Sequence, residues 1–226
     1  MKKILAAYFF LIFLFCGNLC FSENIDLDKL SEDIIKLYDD AKYSEAIEPA
    51  NKLYNEYLKC YGQSHPKTIY SLSNLAIIYE ANNEYDKAEE CLKSLLEITK
   101  KTHGENGFEV TGVLDDLVKL YYVEDKYKDA LPVCLRSLKI KEIFLGRETV
   151  EIFPSIYMLA NIYYKDGQYE KAKEEYQKLI KLSERILGVS NEDTLKIKKE
   201  YEEMLEILSK KTSSVSDGSN TMPAEK

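Results

Sequence analysis

Residues 83–90 read NEYDKAEE, and the Tyr-x-x-Ala at the centre of this stretch, Tyr85 and Ala88, returns at Tyr43 and Ala46, at Tyr127 and Ala130, and at Tyr169 and Ala172. Each step is 42 residues. A strict period of that length marks a repeat array, in which each repeat is one supersecondary unit that completes its core only against its neighbours. The same period recovers Gly62, Gly104, Gly146 and Gly188, the tyrosines Tyr79, Tyr121 and Tyr163, and the leucines Leu75, Leu117 and Leu159. Leu72, Leu114 and Ile156 agree as well, and Ala76, Val118 and Ala160 keep a modest side chain at one place.

Within a repeat two helical patterns follow one another. Leu72, Leu75, Ala76 and Tyr79 stand at i, i+3, i+4 and i+7, one face of a helix. Polar residues follow as a turn, EANNE here and DDAK, VEDK and KDGQ in the other repeats. Tyr85, Ala88, Leu92, Leu95 and Leu96 then resume the spacing on a second helix, which ends at Gly104, a residue suited to the left-handed conformation at a helix terminus. Each unit is therefore a helix A, a turn, a helix B and a glycine-containing loop. Ala76 and Ala88 are expected where the two helices cross most closely, with Tyr79 and Tyr85 filling the wider spaces beside them and keeping their hydroxyls at an edge.

Residues 61–98, YGQSHPKTIYSLSNLAIIYEANNEYDKAEECLKSLLEI, resemble the tetratricopeptide repeats of the 42-residue kind found in kinesin light chains. The features that carry the resemblance are a Gly, His-Pro-x-Thr, Leu-x-Asn-Leu-Ala-x-x-Tyr and Tyr-x-x-Ala-Glu. The later repeats keep the glycine and the helix core but lose His-Pro, and the resemblance spans about residues 28–210. It implies an all-α fold, a right-handed α-solenoid of four helix pairs with a C-terminal capping helix. The units are expected at 28–62, 66–104, 108–146 and 150–188, with the cap at 193–210, apolar on one face and charged on the other. Residues 211–226 lack periodicity and read as a disordered tail. Pro49 and Pro132 fall early in B helices, where they bend a first turn without breaking the helix.

The first 22 residues stand apart. A short basic start, MKK, precedes 13 apolar residues from position 4 to position 16, and Cys20 and Ser22 end an acceptable cleavage site. This reads as a secretory signal peptide followed by a short linker at 23–27. The alternatives are an uncleaved anchor, for which the run is short, and a lipoprotein acylated at Cys16 or Cys20, for which bulky Phe15 and Leu19 fit poorly. The expectation is an exported protein of bacterial type, periplasmic or secreted, with no membrane association beyond such an N-terminal segment. Removing 1–22 takes two lysines and no acids, so the net charge moves from −8 to −10. An acidic body is a poor partner for nucleic acid, whose phosphates require Lys and Arg. Three cysteines remain, Cys60, Cys91 and Cys134, without metal-ligand spacing. They read first as small buried helix residues. Cys91 and Cys134, at nearly equivalent places in successive repeats, form the one pair an exported location would invite to bond.

Little in the chain points to chemistry. His65 lies in the His-Pro loop and His103 beside Gly104. Neither stands in a metal-binding pattern, and no nucleophile elbow or phosphate-cradling glycine loop occurs. Asp115 and Asp116 are adjacent on a helix and point about 100° apart. Lys/Glu runs such as EKAKEEYQK are solvated helix faces. The expectation is a non-catalytic protein with no cofactor and no metal.

In arrays of the kind this chain resembles, the A helices line a concave groove that holds a partner's peptide or helix. Carrying over that register marks Ser31, Ile35 and Tyr38 in the first repeat and Tyr70, Ser73, Asn74 and Ile77 in the second. In the third it marks Asp115, Lys119 and Tyr122, and in the fourth Tyr157, Asn161 and Tyr164. The set is aromatic with a few amides, suited to a partly apolar segment whose backbone needs hydrogen bonds. Asn74 and Asn161 each offer a donor and an acceptor to a peptide amide. The structural reading of the same tyrosines is half-burial between neighbouring A helices. The carboxylate clamp of the chaperone-binding subgroup is missing, since its first-repeat positions hold Ser31 and Ile35. The expected function is binding of an envelope or secreted protein's segment in the groove. The alternative is an assembly subunit that self-associates or binds through its convex face or its ends.

Overall fold

The computed structural model describes residues 26–217, and among these it holds nine α-helices, one 3₁₀ turn and no strand. The expected signal peptide at 1–22 lies outside the described residues. Of the expected linker, Asp26 is already the N-cap of the first helix, its carboxylate accepting from the Lys29 backbone N–H at 3.1 Å. Contacts divide the chain into two compact units, Met1–Glu124 and Asp125–Lys226. The division falls inside the third repeat, between its two helices.

Unit 1 contains α1 (Leu27–Asp39), α2 (Tyr43–Tyr61), α3 (Pro66–Ala81), α4 (Tyr85–His103) and α5 (Val110–Val123). Each helix packs on the next along the chain. The buried positions are the periodic ones, Ala46, Leu53, Leu72, Leu75, Ala76, Tyr79, Ala88, Leu95, Leu114 and Tyr121. Each leucine withdrawn from water contributes about 1.5–3 kcal/mol before the entropy of ordering it. Ala46 and Ala88 are wholly enclosed, and a larger side chain at either place would force its helix off its neighbour. Helix α3 opens with His65, whose Nδ1 accepts from the Lys67 N–H at 3.2 Å, and with Pro66 at its first position. The His65 ring also stacks on Tyr61, with ring centroids 4.4 Å apart.

Unit 2 contains α6 (Tyr127–Leu145), a 3₁₀ turn at Val150–Ile152, α7 (Phe153–Lys165), α8 (Tyr169–Ile186) and α9 (Glu192–Asp217). Its core repeats the pattern with Ala130, Leu138, Ile156, Leu159, Ala160, Tyr163, Ala172, Tyr176 and Leu179, and α9 adds Met204. Helix α9 covers α8 as the expected cap. It also runs on to Asp217, where a disordered tail was expected from residue 211. No Gly or Pro interrupts the chain between Gly188 and Gly218, so nothing in that stretch stops a helix already nucleated. Residues 218–226 lie outside the described part. Helices α2 and α6 continue through Pro49 and Pro132.

The turn between helix A and helix B has a regular conformation. Ala41, Asn83, Asp125 and Gly167, one per repeat, all take positive φ between 56° and 79°. The N–H of the following residue reaches back to close the helix, Lys42 to Leu37 O, Glu84 to Tyr79 O and Gln168 to Tyr163 O, each at 2.8 Å. This is the Schellman closure. The B helices end on the periodic glycines, with Gly62, Gly104 and Gly146 as C-caps at φ 81°, 88° and 90°.

Candidate functional site

In unit 1 the exposed flanks of α1 and α3 enclose a cleft of about 160 Å³. Ile34 and Ile78 form its buried floor, and Ile35, Tyr38, Tyr70, Asn74 and Ile77 line its walls. None of these residues is charged. Tyr70 is 60% exposed, Ile35 49% and Ile77 45%, so apolar surface stands open to water where a helical face would ordinarily be polar. Asn74 is half-buried and its amide makes no hydrogen bond to any described residue. The helix spacing explains the grouping, because Tyr70, Asn74 and Ile77 stand at i, i+4 and i+7 and share one side of α3.

The other expected positions fare differently. Tyr38 also packs at the A–B turn, its ring tilted against Tyr43 at 5.2 Å. Ser31 and Ser73 are half-buried. On α5, Lys119 is held by Asp116 at 3.0 Å, Asp115 and Tyr122 are half-buried, and Asp116 and Lys119 bear electrostatically on Glu80 of α3. Glu80 lies above the ordinary carboxylate range, pushed there first by burial and next by Asp116, with Lys119 opposing.

In unit 2, Asn161 does not offer the free amide that was expected. Its Nδ2 donates to the Tyr157 carbonyl at 3.0 Å, and its Oδ1 accepts from the Tyr176 hydroxyl at 3.0 Å. Tyr176 lies on α8 and stands edge-on to Tyr157 at 6.0 Å and tilted against Tyr201 of α9 at 5.7 Å. Asn161 thus fixes an aromatic cluster across three helices, and neither its donor nor its acceptor is wholly left for a ligand. Tyr164 closes its A–B turn against Tyr169 at 5.9 Å, as Tyr38 does against Tyr43. Tyr157 also lines a cleft of about 560 Å³ beside α9, with Phe153, Leu187 and Ile197 as apolar walls and Asp193, Lys196 and Glu200 at the mouth.

The periodic tyrosines Tyr79, Tyr121 and Tyr163 are core residues with different partners. Asn51 donates to the Tyr79 hydroxyl at 2.9 Å, and Lys87 lies over its ring. Tyr121 donates to Glu89, and Lys171 lies over the ring of Tyr163. Their repeat partners Tyr85, Tyr127 and Tyr169 are only half-buried because they sit at the turn, where Tyr85 donates to Asn83 and Tyr127 to Asp125. None of the three cysteines in the described residues is in a disulfide, so the Cys91–Cys134 bond is not formed. The Cys134 thiol is buried and points at the Ser155 carbonyl instead. Among the described residues no three His, Cys, Asp or Glu side chains gather in a metal-holding group, and no helix is long and apolar enough to cross a membrane.

Family models described as tetratricopeptide repeat match residues 37–101 and 154–186. The chain carries tetratricopeptide repeats over those residues. Solved structures extend the match in space. The nearly identical TPR-like repeats of a Podosopora anserina kinesin light chain superpose with a TM-score of 0.65 at 18% identity, covering 86% of this chain and 97% of that one. BtubC (BKLC) from P. vanneervenii gives 0.61 at 20% identity over 74% of this chain and 68% of that one. MamA from Desulfovibrio magneticus RS-1 gives 0.50 at 14% identity over 88% and 100%. At these identities the likeness is one of fold, an all-α repeat of the solenoid class. No curated protein matches the sequence. Tetratricopeptide repeats typically serve as a protein-interaction module.

Proposed function

We propose that this tetratricopeptide repeat protein is an exported, non-catalytic binding module, and that its A-helix face takes a short, uncharged, partly apolar segment of an envelope or secreted partner. The observation that carries the reading is the cleft between α1 and α3, where exposed Ile35, Tyr70 and Ile77 surround an Asn74 amide that has no partner among the described residues. An aliphatic or aromatic side chain seated on Ile34 and Ile78 would bury the open apolar surface. Asn74 would then pair with the N–H and C=O of the segment's backbone. Helices already packed on their neighbours lower the ordering cost of binding. Tyr38 continues this face. Lys119 and Tyr122 on α5, and Tyr157, Asn161 and Tyr164 in unit 2, remain proposed contacts, with Asn161 acting mainly to hold Tyr157 and Tyr176. Export rests on the apolar segment at 4–16 and its small-residue cleavage site.

A peptide-display selection on residues 23–226 tests the site. Selected peptides should share an uncharged apolar anchor and bind Ile77→Asp and Asn74→Ala variants about tenfold or more weakly. Peptides that bind both variants as well as the parent would move the site off this face. For export, the periplasmic fraction of cells expressing the full chain should contain a product shortened at its N-terminus, and retention of the intact chain in the cytoplasm would overturn that part.

A further inference from the structure

A second kind of surface lies in unit 2, away from the A-helix face. A cleft of about 470 Å³ opens between the end of α6, the 3₁₀ turn and α8. Ile152, Ile156 and Leu182 make an apolar floor. Four cations stand around it, Arg147, Lys178, Lys181 and Arg185, against one lining acid, Glu142. On a chain of net charge −8 this is a local reversal of sign.

The repeat does not require these cations. The place of Arg147 holds Glu105 one repeat earlier, and the place of Lys181 holds Glu97 two repeats earlier. The same scaffold therefore tolerates the opposite charge at these two places; one repeat earlier Lys178 and Lys181 keep cations, Arg136 and Lys139, while Arg147 and Arg185 are replaced by Glu105 and Ile143. The cations are loosely committed. Arg147 is 81% exposed at its side chain and meets Glu142 through Nε at 3.2 Å. Arg185 meets Glu148 at 2.9 Å, with both side chains more than half exposed. Lys178 meets Glu175 at 2.7 Å. Lys181 is exposed and has no ion pair among the described residues. The pairs of Arg147 and Arg185, whose guanidinium groups are mostly exposed, are of the kind worth about 0–1 kcal/mol, so their exchange for an incoming carboxylate costs little. A guanidinium further offers a planar fork that matches a carboxylate in two hydrogen bonds.

We propose that this cleft docks an acidic segment of a partner protein, one apolar side chain resting on Ile152 and Leu182 and flanking Asp or Glu side chains meeting Arg147, Lys181 and Arg185. The apolar floor distinguishes such a segment from a bare anion, which would gain nothing from it. The acidic remainder of the chain disfavours a polyphosphate backbone, which needs cations along a longer track.

The test uses fluorescence anisotropy with residues 23–226 and a labelled decapeptide of Asp and Glu around a central Leu-Phe. A second peptide replaces every acid by its amide. The acidic peptide should bind, its affinity should fall as salt is raised, and the amide peptide should bind at least about tenfold more weakly. A double variant, Lys181→Glu with Arg185→Glu, should lose binding to a similar degree while keeping the parent's thermal midpoint. Ile77→Asp should leave it unchanged, which separates this site from the α1/α3 cleft. No binding by the parent, equal binding of the two peptides, or full binding by the double variant would each overturn the proposal. A concentration-dependent dimer, abolished by the double variant in a chain that ignores the acidic peptide, would overturn it in favour of a second copy as occupant.

Discussion

The hydroxyl of Tyr121 on α5 donates to the carboxylate of Glu89 on α4 at 2.7 Å, and the same carboxylate takes the Lys93 ammonium at 2.7 Å. A buried aromatic is thereby tied to a charged surface pair. Hydrogen bonds to charged groups contribute about 1.5–3 kcal/mol. Tyr121→Phe should cost an amount in that range in urea unfolding, and Glu89→Ala a comparable amount. If each single change costs as much as the two together, the residues act through one bond. Fully additive losses would refute the link.

Thr68 and Thr194 occupy the same repeat position as Val110 and Ile152, and all four are fully buried. The two threonine hydroxyls have no hydrogen-bond partner among the described residues. A buried polar group left unpaired costs about 1–3 kcal/mol. Thr68→Val should therefore raise stability by roughly 1 kcal/mol, read as a higher urea midpoint with unchanged slope. A fall in the midpoint would mean that the hydroxyl is satisfied in solution.

Ala41 carries the turn at φ 56°, where its counterpart in the last repeat is Gly167 at φ 79°. A left-handed alanine is strained by about 1–2 kcal/mol. Ala41→Gly should stabilise by about 1 kcal/mol after the entropy of the unfolded glycine is set against it. Gly167→Ala should destabilise by a similar amount, since nothing lies within 4 Å of the Cβ it would add and only the backbone resists. Thermal melts of the two variants moving in the same direction would contradict this.

Much of the fold is legible in the sequence. The period places Tyr43, Tyr85, Tyr127 and Tyr169, and the B helices begin on those tyrosines. Turn chemistry was less visible, because the left-handed residue changes from Ala41 to Asn83 to Asp125 to Gly167, and only the last announces itself. The role of Asn161 was hidden for another reason. Its partner Tyr176 is on a different helix, and spacing along one helix says nothing about what a neighbouring helix contributes. The rim of Arg147, Lys181 and Arg185 was similarly dispersed over α8 and the loop after α6, so no run of charge marked it.

Glu80 has a carboxyl held above its usual range by partial burial and by Asp116, against the pull of Lys119. A folded-state value above the unfolded one means that the folded protein holds the proton more tightly. The group favours folding below the unfolded pKa, and that contribution is lost as pH rises through the folded pKa. Glu80→Gln should therefore raise the thermal midpoint near neutral pH and have little effect at about pH 3, where unfolded Glu is also protonated. A larger gain in acid than at neutrality would reverse the sign and sink the assignment.

Cys91 has its thiol pushed up to about 11, first by burial and then by Glu90. Near pH 8 only about a thousandth of it is thiolate, so iodoacetamide should modify Cys91 about a hundredfold more slowly than a free thiol. Peptide mapping by mass spectrometry reads the site, and urea should abolish the protection. Rapid labelling in the native chain would show that the thiol is open.

The A–B turns are closed by main-chain hydrogen bonds, and four different residue types occupy the left-handed place. A corner closed by its main chain is a graft point at which a side chain in the left-handed place costs about 1–2 kcal/mol of strain. An epitope or a fluorophore attachment introduced at Asn83 or Gly167 would leave the helix faces untouched, giving one reporter in each compact unit and a way to follow their unfolding separately within a single chain.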